Sequence, residues 1–227
     1  MPSRTVAERR RRRLRATLFT AALATALLTL AALVAACGGS TASNDPLAGY
    51  WVGGGTATPI LLHIVKSGDT YSLRANPDTP LGDATKDGDS LVVDTHAVTM
   101  TFTPGADGTL SVTLGGEAVK KERALTLQRV DEDQYADAAV KYGVAAIRRG
   151  LMMWVRGGGK KFPPPNEVNS NGLLGKMVVP WPANMFSGQP MQPGDSKGDY
   201  TYTMTDGGKQ LTLVGHLSDG TTTEGTP

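Results

Sequence analysis

VTMTFTPGADGTLSVTL, residues 98–114, alternates apolar and polar side chains on both sides of a tight turn. Successive side chains of a strand point to opposite faces, so Val98, Met100 and Phe102 share one face, as do Leu110, Val112 and Leu114 on the next segment. Between them Gly105-Ala106-Asp107-Gly108 combines glycines that accept positive φ with an aspartate that bonds its own backbone, and the stretch predicts a β-hairpin. The pattern spreads in both directions. Tyr50–Val52, Pro59–Lys66, Thr70–Arg74, Ser90–Asp94 and Ala124–Val130 are rich in Val, Ile, Leu, Thr and Tyr. They are separated by Ser67-Gly68-Asp69, Lys86-Asp87-Gly88-Asp89 and Gly115-Gly116. Short strands at this spacing predict a small antiparallel β barrel or sandwich over residues 47–130.

At Asp131 the period changes. Asp131 with Gln134 three residues on has the form of a capping box, and Glu132 and Asp133 suit the positive end of a helix dipole. Val140, Val144, Ile147, Leu151 and Trp154 then recur at intervals of four and three, which places them on one stripe of a long helix that Gly157-Gly158-Gly159 ends. Gly143 and Gly150 each cost a helix about 1 kcal/mol relative to Ala, so their presence predicts close packing against a sheet. Two further strands, Asp199–Met204 and Gln210–His216, flank Asp206-Gly207-Gly208. A β domain followed by one helix, a loop and an antiparallel sheet is an α+β pattern, with residues 131–227 as a second domain.

The N-terminus is an address. Arg4, Arg9 to Arg13 and Arg15 form a basic head, and Ala16 to Ala36 follow as 21 residues without a charge. Such a run is also long enough to span a bilayer as a helix. It ends Val34-Ala35-Ala36-Cys37-Gly38-Gly39-Ser40, and Cys37 is the only cysteine. This resembles the lipobox of bacterial lipoproteins. The resemblance implies a diacylglyceryl group on the Cys37 thiol, cleavage before it, a signal peptide over residues 1–36 and a flexible tether over residues 37–46. It places the mature protein on the outer face of the cytoplasmic membrane, with the membrane itself as a partner through its lipidated N-terminus.

Two further resemblances concern the body. Gly49-Tyr50-Trp51 is similar to the Gly-x-Trp start of lipocalin-like barrels, in which the Trp closes one end. Phe162-Pro163, Trp181-Pro182-Ala183-Asn184, Ser187-Gly188-Gln189-Pro190-Met191 and Gly198-Asp199-Tyr200-Thr201-Tyr202 occur in an order that resembles the soluble domain of type IV pilins and type II secretion pseudopilins. The resemblance implies a long helix packed on a short antiparallel sheet, and a place beside a pilus or secretion machine. No prepilin site is present, and a lipobox with a β domain stands where those proteins have an uninterrupted helix.

The search for chemistry is sparse. Residues 1–36 carry +6 of a whole-chain net charge of +2, leaving −4 on the rest. An acidic body argues against nucleic acid as a partner. His63, His96 and His216 have no ligand-spaced neighbours, there is no Gly-x-Ser-x-Gly elbow, and Cys37 is taken by lipid, so no catalytic, cofactor or metal residue is expected. Asp87, Asp89, Asp107, Asp195 and Asp199 read as turn residues and not as a spaced calcium loop. Met152, Met153 and Trp154 read as core, and Phe162 to Pro165 as the stop of the helix. The expected function is that of a non-catalytic, lipid-anchored envelope protein, an interaction or structural module for other envelope proteins. The alternative is a carrier with a small apolar ligand inside the barrel. The barrel interior discriminates between them.

Overall fold

Phe102 sits directly across from Val112 in the hairpin, and both turn inward. A computed structural model describes residues 45–54, 58–95 and 97–224. Eight antiparallel strands run in sequence order: β1 (Gly49–Gly54), β2 (Pro59–Ser67), β3 (Thr70–Ala75), β4 (Thr79–Asp87), β5 (Ser90–Asp94), β6 (Thr99–Pro104), β7 (Thr109–Gly115) and β8 (Arg123–Val130). Each pairs with the next, and β8 returns to β1 with Val52 opposite Gln128, so the sheet closes as a barrel with no free edge.

The inward side chains are Trp51, Leu62, Ile64, Tyr71, Leu73, Leu91, Val93, Phe102, Leu110, Val112 and Leu127, with Leu47 at one end. All are buried, and Leu81, Ala84, Met100 and Leu125 pack against them. An eight-stranded barrel is just wide enough for side chains to fill it. Burying each large apolar side chain contributes roughly 1.5–3 kcal/mol. β4 was not expected from its sequence. Its residues include Pro80, Gly82 and three charges, only Leu81 and Ala84 are partly covered, and its register against β3 slips between Leu73 and Arg74. Backbone pairing within a closing barrel holds it, not hydrophobic alternation.

One end of the barrel is sealed by the chain that enters it. The Trp51 Nε1–H donates to the Leu47 carbonyl at 3.0 Å, and the Arg129 guanidinium lies over the Trp51 ring at 5.5 Å. Arg129 Nη2 also donates to the carbonyls of Ala48 and Asp45. The Asp45 carboxylate accepts from Lys66 Nζ at 2.9 Å, from the Tyr71 hydroxyl at 2.7 Å, and from the N–H groups of Leu47 and Ala48 at 2.9 and 3.1 Å. Burial alone would raise its pKa; these four donors outweigh burial and hold it well below the usual carboxylate range.

The helix α1 (Glu132–Arg156) begins one residue after β8. Its capping box is complete: the Asp131 carboxylate accepts from the Gln134 N–H at 2.8 Å, and the Gln134 side chain accepts from the Asp131 N–H at 3.2 Å. At the other end the Gly157 N–H donates to the Met153 carbonyl at 2.9 Å. The stripe Val140, Val144, Ile147 and Leu151 packs with Val168, Leu174, Met191, Tyr200 and Leu213. Tyr200 and Leu213 belong to a small sheet of β11 (Tyr200–Thr205), β12 (Gln210–His216) and β13 (Thr222–Glu224). In the intervening loop, β9 (Ala183–Asn184) pairs with β10 (Gln189–Pro190). Gly143 and Gly150 meet this loop and not the sheet: a Cβ on Gly143 would strike Met191, and one on Gly150 would strike Val178.

The expected α+β class, with a pilin-like helix on a sheet as the second half, is corrected by these contacts. Among the described residues the molecule is mostly β, a closed eight-stranded barrel with a single α-helix and small accessory sheets. The physical reason is a second apolar face on α1. Tyr135, Ala138 and Ala139 bury against Leu61 on the outer wall of the barrel, with Tyr50, Val52, Val130 and Tyr142 around them. Leu61 therefore faces the helix while Leu62 faces the interior, and β2 reads as a continuous apolar run because both its faces are covered. From residue 45 onward the chain is one compact unit.

Candidate functional site

Tyr135, Ala139, Tyr142, Ala146, Arg149 and Met153 recur along α1 at intervals of four and three, which places them on a single face. Tyr135 and Ala139 bury on the barrel wall, and Tyr142 packs at the margin. Past Tyr142 the same face borders open space. Ala146, Arg149 and Met153 form one wall of a groove of about 450 Å³. The β3–β4 turn with the start of β4, Asn76 to Pro80, and the segment from Met177 to Ala183 form the others. Pro77 and Pro80 stand on the barrel side, and Pro180 and Pro182 on the loop side. Proline rings offer apolar surface without an N–H to satisfy.

Large apolar side chains at the groove stay in water: Val179 is 78% exposed, Met153 48% and Met177 37%. Contiguous exposed apolar surface of this kind is a docking signature. The groove is rigidly supported. The Trp181 indole N–H donates to the Met191 carbonyl at 2.9 Å, and the Met191 N–H returns to the Pro182 carbonyl at 2.9 Å. Buried Asn184 has its full complement of partners: Nδ2 donates to the Lys197 carbonyl and to Asp199 Oδ1, both at 2.9 Å, and Oδ1 accepts from the N–H groups of Phe186 and Ser187. The Tyr202 hydroxyl donates to the Pro163 carbonyl at 2.9 Å, and burial pushes its pKa up to about 12, so it remains a donor. The Trp-Pro-x-Asn and Gly-Asp-Tyr segments thus act as loop supports.

Next to the groove lies an aromatic clasp between barrel and helix. The Tyr50 ring stacks on His63 at 4.2 Å and meets Tyr135 at 4.8 Å. Burial, and then Arg74, push the His63 pKa down, with Asp78 opposing. Burial pushes the Tyr135 hydroxyl up, and that hydroxyl has no hydrogen-bond partner among the described residues. Burial and Glu132 raise Tyr50. A smaller cleft of about 170 Å³ lies against Tyr50, Glu132, Tyr135 and Phe186. A third, of about 420 Å³, lies against Val52, Gln128, Ala138 and Lys141. All three clefts are outside the barrel. The clasp joins barrel and helix through ring contacts.

The residues singled out from sequence scatter. Cys37 and His96 lie outside the described residues. His216 Nε2 pairs with the Thr201 hydroxyl at 2.8 Å. The Asp107 carboxylate accepts from the Thr109 hydroxyl at 2.7 Å, and Asp199 Oδ1 from the Gln192 N–H at 2.9 Å, both as turn and loop partners. Among the described residues no group of three or more His, Cys, Asp or Glu could hold a metal, and no helix is long and apolar enough to cross a membrane. Trp154 is half-buried, with its N–H on the Lys161 carbonyl at 3.0 Å, whereas Met153, expected in the core, stands in the groove. The groove's signal in the sequence is the second helical stripe, muted because two of its members are alanine and one is arginine.

The fold and groove define a barrel-and-helix body with an external apolar cleft. Comparison with known proteins assigns it no family: no family model matches the chain, and neither a curated protein nor a solved structure matches it.

Proposed function

We propose that this protein is a lipid-anchored, non-catalytic component of the cell envelope that works by docking another envelope protein in the groove beside α1. Cys37, at the end of the lipobox-like segment, carries the diacylglyceryl anchor and holds the body on the outer face of the cytoplasmic membrane. The observation that carries the docking role is the contrast between a filled barrel and an open cleft. The barrel interior is packed with large side chains, while Met153, Met177 and Val179 line the outside groove in contact with water. A carrier would need the reverse, an empty interior, so the alternative of an internal apolar ligand loses its support. The pilus and secretion context is not retained, because the helix it was based on is bound to the barrel wall.

Two measurements test this. Intact mass of the membrane-extracted protein should show a chain beginning at a lipidated Cys37, with the modification lost in Cys37→Ala; a full-length chain with a free thiol would overturn the anchor. A photo-crosslinking side chain at Val179, compared in cells with one at exposed Ser111 on β7, should give a discrete adduct only at Val179. Equal adducts at both positions, or none, would overturn docking at the groove.

A further inference from the structure

We infer that the groove's partner is an extended protein segment that presents an apolar anchor flanked by acidic residues. This rests on the groove being a docking site and names the chemistry it selects. The charge of the body is strongly polarised. From residue 37 onward the chain has a net charge of −4. Yet the stretch 148–176, which covers the end of α1 and the loop behind it, holds six Lys and Arg against one Glu, a net of +5. The remainder therefore carries −9.

The positive end coincides with the groove. Arg149 lines it, and Arg156 lies two turns further along the same face, with exposed Met153 between them. Exposed Lys176 adjoins Met177 on the loop wall. The acidic groups nearby already have partners: Asp78 faces Arg74 at 3.8 Å, and Glu167 accepts from the Leu173 N–H at 2.9 Å. Arg149 and Arg156 have no ion-pair partner among the described residues within 4.0 Å. An acidic body with one basic, apolar-floored cleft steers acidic ligands to that cleft and repels them elsewhere.

Geometry narrows the ligand to a segment of chain. The cleft is walled on three sides, which suits a single extended strand better than a flat surface such as a bilayer. Seven residues of helix separate the two arginines by about 10 Å along the axis. A polyproline-type segment repeats its face every three residues, about 9 Å. Acidic residues three apart would meet both guanidiniums, while an apolar side chain between them turns to a different face and is seated by Met177 and Val179 on the loop wall.

The test is selection of a random dodecapeptide phage library on the detergent-extracted protein as cells produce it. The expected result is enrichment of peptides with acidic residues about three positions apart around an apolar residue, and binding that weakens as salt rises. The double variant Arg149→Glu with Arg156→Glu should weaken a selected peptide at least about tenfold, and should itself select basic peptides. Val179→Asp, at an exposed position, should lose binding with unchanged thermal stability. If no peptide is enriched, the docking role fails and this inference with it. Enriched peptides without acidic residues, or unaffected by charge reversal, overturn the inference while leaving docking intact. Binding to phosphatidylglycerol vesicles that the same variants abolish, without peptide binding, would assign the face to the membrane and overturn both.

Discussion

The Tyr71 hydroxyl donates to the Asp45 carboxylate at 2.7 Å and so ties the third barrel strand to the segment that leads into β1. Lys66 and two backbone N–H groups share the same carboxylate, whose side chain is only 9% exposed. Asp45→Ala leaves four donors without their acceptor, and unpaired buried groups cost about 1–3 kcal/mol each in the worst case. With partial access to water, a total loss of about 2 kcal/mol, a fall of several degrees in Tm, is expected. The pH dependence has a definite sign. The folded-state pKa of Asp45 is depressed, so its contribution is fully present above the ordinary carboxylate value, about 3.9, and is lost as pH falls below that value toward the folded one. Thermal melts of wild type and Asp45→Ala should converge on acidification; a constant gap down to strong acid would sink the assignment.

Gly150 touches the groove from beneath. Alanine in an exposed helix position would gain up to about 1 kcal/mol over glycine. Here the added methyl would clash with Val178 Cγ2 and lie 3.4 Å from Leu174 Cδ1. Val178 is branched at Cβ and cannot swing aside cheaply. Overpacking of this kind costs about 1–3 kcal/mol, so Gly150→Ala should lower Tm and displace the Met177–Val179 wall. Crystals or amide-exchange of the variant would show the shift in that wall. A variant more stable than wild type would mean that the loop yields freely and the groove is softer than its hydrogen bonds imply.

The barrel hairpin at residues 98–114 was legible because alternation and turn chemistry agree there, whereas the match at Gly49-Tyr50-Trp51 is only three residues long and added no more than a barrel shape. β4 was illegible because its pairing is dictated by neighbours while its own side chains point mostly into water. The helix was legible through its Val140-to-Leu151 stripe and its capping box. Its second face was not, since Ala139 and Ala146 carry little hydrophobic signal and Arg149 interrupts them, although small residues are what allow a helix to lie close on a sheet. The groove itself depends on the Met177–Ala183 segment folding back onto α1 through Trp181, Met191 and Asn184, contacts among residues too irregular in spacing to announce a shared site.

Val179 separates function from stability. At 78% exposure it buries almost nothing, and surface substitutions away from special features usually stay within about 0.5 kcal/mol. Val179→Asp should therefore melt with wild type while losing partner binding, and Met153→Lys, at a half-open position, should do the same with a slightly larger thermal effect. Differential scanning calorimetry beside the crosslinking experiment checks both; a large drop in Tm for Val179→Asp would place that side chain in the structure's support and not on its working surface.

His63 should make the seam between barrel and helix acid-sensitive. Its ring is stacked on Tyr50 and approached by Tyr135, with Arg74 as its cross-strand neighbour and Asp78 the acidic group that opposes the shift. Burial and Arg74 both disfavour a charged imidazole, so the folded pKa lies below the ordinary value of about 6.5. The unfolded chain then binds the proton first. Stability is unaffected well above that value and falls as pH drops through it toward the folded pKa. His63→Phe keeps the stacked ring and removes the titration, so its Tm should stay level between neutral and mildly acid pH, while that of wild type declines. Asp45, held well below the usual carboxylate range, stays charged over that interval and does not contribute to the difference. Parallel curves for the two proteins would show that His63 is charged or solvated in the folded state, and that Asp78 outweighs burial at the clasp.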